Sequence, residues 1–244
     1  MKEFKNTLRQ TFQAEWRQEL VYGAISAAGG VLGVVIFLIV LATDNSVETY
    51  ATLGALLALG IGILVFLIGG SFSMRQDLHL ALSMGKTRKY YVPAKYLLLV
   101  VTCLECVLIA MVIGWLEESL YVALYPGLSC EINMSFLYER PGLLVGGVLL
   151  VAMVILLMGA LFARFGVKFF WVLWGIWMVC CLCLPRIIED TIQAPDSFLG
   201  RLGTAFVGFA TQLTGLQLVM GVCVLWLIGM AVAFGLLRKQ SVTA

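Results

Sequence analysis

The sequence predicts an all-α integral membrane protein. It has six transmembrane helices, an interfacial helix ahead of them, a short cytoplasmic helix between the second and third spans, and an extracellular segment between the fifth and sixth. Three observations predict this. Hydrophobic residues make up 61% of the 244 and charged residues only 12%, about half of the roughly 25% usual in a soluble domain. With a mean hydropathy of +1.00, the chain has too little charge to cover a folded surface in water. Six apolar runs approach the roughly 20 residues that cross a hydrocarbon core, and the basic residues fall between them on alternate sides.

The runs cover residues 21–43, 51–70, 96–116, 143–163, 169–185 and 216–237. The fifth is the shortest. In lipid every backbone N–H and C=O needs an internal partner, so runs of this length are helices. An even number of spans leaves both termini on one side. That side holds thirteen of the sixteen Lys and Arg, and the other only Arg140, Arg186 and Arg201. The opposite side also carries nine of the fourteen acidic residues, among them Asp44, Glu117, Glu118, Glu189 and Asp190. The positive-inside rule therefore puts both termini in the cytoplasm. The first apolar run begins after about twenty mixed-charge residues and exceeds a 7–15-residue signal-peptide core, so it is expected to remain as an anchor.

Residues 1–20 are too polar to cross. Phe4, Leu8, Phe12, Trp16 and Leu20 recur every four residues, interleaved with Lys5, Arg9 and Arg17. This predicts an amphipathic helix in the membrane interface, followed by a six-helix domain over 21–244. Gly29 with Gly33 and Gly142 with Gly146 have the spacing that lets helices approach closely. Trp171, Trp174 and Trp177 read as interfacial anchors or lipid-facing positions.

Catalytic chemistry finds little support. The single histidine, His79, lies outside every span, which argues against a Ser/His, histidine-metal or haem site. Glu117–Glu118 begins an EExxxR-like pattern, but no arginine follows three residues on. Gly85–Lys86–Thr87 echoes the end of a phosphate-binding loop, yet Leu80 occupies the position of its first glycine. This chain is therefore expected to bind no ATP and no cofactor. Cys103, Cys106, Cys180, Cys181, Cys183 and Cys223 fall in apolar runs as small hydrophobes, not as a disulfide framework. One carboxylate, Glu105, stands inside a span. Its burial costs on the order of 2.5–3.5 kcal/mol, so it must face a helix or an aqueous cavity and is a candidate pathway residue.

The loop at 71–95 is the most informative segment. Met74, Leu78, Ala81 and Leu82 follow i, i+4, i+7, i+8, predicting a short amphipathic helix ended by Gly85. Lys86, Arg88 and Lys89 then mark the return to the membrane. The order of parts, with the phrase RQDLHLALSMGKTRKYYVPAK, resembles the small ABC-2-type permeases of Gram-positive bacteria, in particular those of phenol-soluble modulin and bacteriocin exporters. The resemblance implies a bacterial plasma-membrane permease that dimerises with itself or a related permease. Two separate ABC ATPase subunits would hold ATP and magnesium, and the cargo would be amphipathic peptides or hydrophobic compounds, not nucleic acid. It also implies that 71–95 is the coupling loop, with Met74, Asp77, Leu78, Ala81 and Leu82 as the face that docks on the ATPase. The segment 186–215, with Pro195, Gly200 and Gly203 and an apolar stripe of Phe198, Leu202, Phe206 and Phe209, matches the family's extracellular excursion. The loop 117–139, with four carboxylates and no Lys or Arg, departs from the pattern and suggests added structure there. The competing reading is an ATP-independent carrier or channel, for which no inverted repeat or paired broken helices are found.

Overall fold

No proline occurs before Pro93, so nothing in the first ninety residues forces a helix to stop. A computed structural model of the chain describes residues 2–43, 49–83, 87–132, 141–193 and 215–238, with scattered positions between 197 and 208. Helix α1 runs Lys2–Thr43, a short strand β1 covers Thr49–Ala51, and α2 spans Leu53–Ser83. They are followed by α3, Arg88–Leu124, and β2, Ser129–Ile132, and then by α4, Pro141–Phe165, α5, Val167–Gln193, and α6, Gly215–Arg238. Among the described residues, five helices are long and apolar enough to cross a membrane, over Glu3–Thr43, Leu53–Ser83, Lys89–Leu124, Leu144–Phe165 and Val219–Arg238. The chain is thus an all-α membrane-embedded protein. The expected span at 169–185 lies in α5, whose described apolar run, Lys168–Val179, is shorter than the others.

Two expected elements turn out to be extensions of others. Residues 2–20 are not a separate helix but the first turns of α1, whose 42 residues make a rod about 63 Å long. The stripe facing the other helices is polar: Thr7, Thr11, Glu15 and Glu19 are buried, while Phe12, Trp16 and Leu20 are 45–56% exposed. The Thr7 and Thr11 hydroxyls donate to the carbonyls of Glu3 and Thr7 at 2.9 and 2.8 Å, which frees the stripe from needing water. Likewise residues 71–83 simply continue α2. The pair Gly69–Gly70, which ended the second apolar run, does not break the helix. A methyl group on Gly69 would lie 2.6 Å from the Tyr22 hydroxyl, so the glycine makes room for α1 instead.

Helix α1 crosses α2 through small residues. Ser26 Oγ donates to the Ala58 carbonyl at 2.8 Å. A Cβ on Gly33 would fall 2.7 Å from Gly54 Cα and 2.8 Å from the Leu53 carbonyl oxygen. The spacing read in Gly29 and Gly33 is used here. Gly142 and Gly146 have open space around them instead. Gly33→Val should therefore destabilise the chain by about 1–3 kcal/mol, because backbone cannot yield as a side-chain tip can. Gly146→Ala should leave the unfolding temperature unchanged or slightly raised. Thermal unfolding in detergent compares the two.

Contacts along the helices fix their relative directions. Gly23 meets Glu105 and Gly30 meets Ile113, while Gly29 meets Ile61 and Gly33 meets Gly54, so α1 runs parallel to α3 and antiparallel to α2. Gly70 meets Ile155 and Gly159 meets Met74, and Phe234 and Arg238 lie beside Lys89 and Val92, so the start of α1, the end of α2, the start of α3 and the ends of α4 and α6 share one end, which carries Arg9, Arg75, Lys89, Arg164 and Arg238. The largest core, including Met74, Leu78, Tyr91, Leu99, Ile155, Leu156 and Leu237, lies towards this basic end among α2, α3, α4 and α6. Helix α5 packs against α4 after a turn at Gly166, whose φ of 62° suits glycine. Trp171, Trp174 and Trp177 are 46–60% exposed along α5, pointing away from the core.

The acidic end has its own small cap. Strands β1 and β2 pair in parallel, Tyr50 opposite Cys130. Tyr50 and Tyr121 meet edge to face at 5.2 Å, with Leu41 buried beside them. Burial pushes the Tyr50 hydroxyl up to about 12, so it stays protonated at neutral pH. This pairing is the added structure expected in 117–139, although α3 first continues through Leu124. Similarly, 186–193 continue α5. Pro195, Gly203, Leu202, Phe206 and Phe209 lie outside the described residues, and Phe198 is 79% exposed.

Candidate functional site: a buried ion cluster at the basic end

The polar stripe of α1 meets polar positions of α2 and α3. Lys95, its side chain 3% exposed, places its ammonium 2.8 Å from Asp77 Oδ2 and pairs with the Glu15 carboxylate. Ser73 Oγ donates to the same Asp77 oxygen at 2.9 Å. One cation thus ties three helices together, and every charge in the triad has a partner of opposite sign. That is the condition under which buried ions can persist.

The seam continues deeper. The Thr102 hydroxyl contacts the Glu19 carboxyl and lies 3.0 Å from the Leu98 carbonyl. Further along, a methyl group on Gly23 would sit 2.5 Å from Glu105 Oε1, so the Glu105 carboxyl rests on the bare backbone of α1. Glu105 therefore faces another helix, as its burial cost requires. Among the described residues, Glu15, Glu19, Asp77 and Glu105 share this seam with the ammonium of Lys95. A cleft of about 70 Å³ opens beside Glu15 and Asp77, lined also by Thr11, Gln18 and Tyr91. The Tyr91 hydroxyl is buried with no hydrogen-bond partner.

The expected docking face is placed otherwise. Met74, Leu78 and Ala81 are 0–2% exposed and belong to the chain's own core, with Leu82 packed against it. Asp77 is engaged by Lys95 and Ser73. The i, i+4, i+7 pattern marked an apolar face correctly, but α3 and α4 cover it, so it is unavailable to a partner. The face left open carries Arg75, Gln76, Leu80 and Ser83, with Leu80 51% exposed.

At the acidic end, Glu117 is 1% exposed. Its carboxylate accepts from the backbone N–H groups of Gly54 at 3.0 Å and Ala55 at 3.1 Å, and from the Tyr121 hydroxyl at 2.8 Å. It satisfies N–H groups that the first turn of α2 leaves unpaired and sits at the favourable end of that helix's dipole. This role is structural. Among the described residues no cluster of three or more His, Cys, Asp or Glu side chains is arranged to hold a metal ion.

Sequence reasoning singled out Asp77 and Glu105 but missed Glu15, Glu19, Lys95, Thr102 and Glu117. The four-residue spacing of Thr7, Thr11, Glu15 and Glu19 was the available signal for the α1 part of the seam. Comparison with protein-family models, curated proteins and solved structures finds no match to this chain.

Proposed function

We propose that the chain is the permease subunit of an ATP-driven exporter in a bacterial plasma membrane. In this reading both termini and the α2–α3 turn face the cytoplasm, and α5 completes a set of six spans. A separate ABC ATPase holds ATP and magnesium, a second permease completes the translocation unit, and amphipathic peptides or hydrophobic compounds are the cargo. The observation that carries the reading is the Glu15–Lys95–Asp77 triad, which clamps the end of α2 and the start of α3 to α1 at the basic end. ATP closure can move membrane helices only through an element that is rigid and reachable, and the end of α2, held by the triad with Leu80 51% exposed, supports that role. The coupling face becomes Arg75, Gln76, Leu80 and Ser83 instead of the buried Met74, Leu78 and Ala81.

Co-purification tests this. With the chain expressed beside a candidate ABC ATPase from the same cell, Gln76→Glu with Leu80→Glu should reduce recovered ATPase by roughly tenfold or more, as loss of an interface anchor does. The variant permease should still elute as a folded species. Undiminished recovery would place coupling elsewhere. The acidic seam favours a second reading, an ATP-independent, ion-coupled carrier, because among the described residues Glu15, Glu19, Asp77 and Glu105 outnumber the ammonium of Lys95. Transport driven by an ion gradient alone would support it.

A further inference from the structure

We propose that Glu105 anchors a lipid-accessible site for cationic amphiphiles, compounds that carry an ammonium or guanidinium group on a hydrocarbon body. Between Tyr96 and Leu116, Glu105 is the one charged residue of α3. Along the helix it stands about 15 Å from Lys95 and about 18 Å from Glu117, deep within the span. Its carboxyl rests on the bare backbone of Gly23, and among the described residues nothing hydrogen-bonds to it. Lys95 is held by Glu15 and Asp77.

The site opens towards lipid. Glu105 is half-buried, on the edge of the seam between α1 and α3. Residues one or two turns away share its face: Val101, Leu108 and Val112 on α3, with Leu20 and Ala27 flanking Gly23 on α1. Val101, Leu108, Val112 and Leu20 are all exposed, and Ala27 is small and half-buried. The carboxyl is thus a polar point between apolar walls that face the bilayer. An ionised carboxylate at this depth is costly, and a cation that donates hydrogen bonds to it offsets the cost. A hydrated inorganic ion would have to shed its water to pass these walls. An amine carried on hydrocarbon instead buries its own body against Leu20, Val101 and Leu108. A phospholipid headgroup stays in the interface and does not reach this depth. The inference narrows the cargo proposed above to its cationic members, and that narrowing rests on the exporter reading. Binding itself requires only the membrane-embedded chain, so the test uses no ATPase and stands apart from that reading.

The test titrates the purified full chain, in phosphatidylcholine nanodiscs, with radiolabelled dodecylammonium, dodecanol or methylammonium. Binding is read as the label retained above that of empty nanodiscs. Dodecylammonium should bind saturably and roughly tenfold or more tightly than dodecanol, the difference a hydrogen bond to a charged group makes. Methylammonium, which has the charge without the hydrocarbon, should show no saturable binding. Glu105→Gln should weaken dodecylammonium binding by roughly tenfold or more and leave that of dodecanol unchanged. Glu105→Asp keeps the charge and should retain most of the binding. Glu118→Gln removes an exposed acid from the same helix and should change nothing. An unaltered unfolding temperature would show that Glu105→Gln keeps the fold, and the comparison of the three compounds on the wild-type chain needs no variant. The proposal is overturned by equal binding of dodecanol and dodecylammonium, by methylammonium binding as tightly, by undiminished binding to Glu105→Gln, or by an equal loss with Glu118→Gln. A wild-type dimer that Glu105→Gln dissociates and that takes up no dodecylammonium would also overturn it, making this face an interface between copies.

Discussion

Lys95→Met should lower the stability of the folded chain by about 3–5 kcal/mol, the cost of removing one partner from a buried ion pair. The methionine fills the same space, so packing is nearly preserved and the loss is electrostatic. Glu15 and Asp77, 7% and 10% exposed at their side chains, would lose the cation that they share. Glu15→Gln and Asp77→Asn added to Lys95→Met should recover most of the loss, because the buried charges are then gone. Unfolding temperature in detergent, followed for the single and triple variants, checks this. A single variant as stable as wild type would mean that the triad is solvated and holds nothing together.

Glu117→Ala should cost about 3 kcal/mol. Hydrogen bonds to a charged group contribute about 1.5–3 kcal/mol each, and leaving buried donors unmatched adds to the loss. Three donors depend on this carboxylate, two of them backbone groups in the first turn of α2. Glu117→Gln keeps an acceptor and should lose about half as much. Neighbouring Glu118 is exposed, and Glu118→Ala should change stability by less than about 0.5 kcal/mol. Unfolding measured on the three variants separates a buried cap from two interchangeable surface acids.

The five long helices were legible because hydrophobicity alone specifies a helix in lipid. Their ends were not. Hydropathy falls at Leu20 and after Gly70, but falling hydropathy marks where apolar surface stops being needed, not where the backbone leaves the helix. Without proline between Met1 and Val92, α1 and α2 continue, held by tertiary contacts such as Gly69 against Tyr22. The amphipathicity of α1 was visible, and Phe12, Trp16 and Leu20 point outward, as a stripe facing the membrane does. What it did not announce is that Thr11, Glu15 and Glu19 on the other face are buried against other helices instead of lying in water. Lys95 counted as one more cytoplasmic cation, since its partners lie 80 and 18 residues away. Glu117 caps a helix that begins more than sixty residues earlier, and no local pattern announces such a bond. Glu105 was legible for the opposite reason, because a carboxylate in the middle of a span is conspicuous in any sequence.

ATP hydrolysis by the candidate ABC ATPase that the proposal requires, measured alone and then in proteoliposomes with this chain, tests the exporter reading most directly and needs no knowledge of the cargo. The expected result is a several-fold change in rate with the wild-type chain, absent with Gln76→Glu and Leu80→Glu, whose side chains lie on the open face of the last turns of α2. A rate indifferent to the wild-type chain would contradict the proposal and leave the acidic seam of Glu15, Glu19, Asp77 and Glu105 as the basis for an ATP-independent carrier.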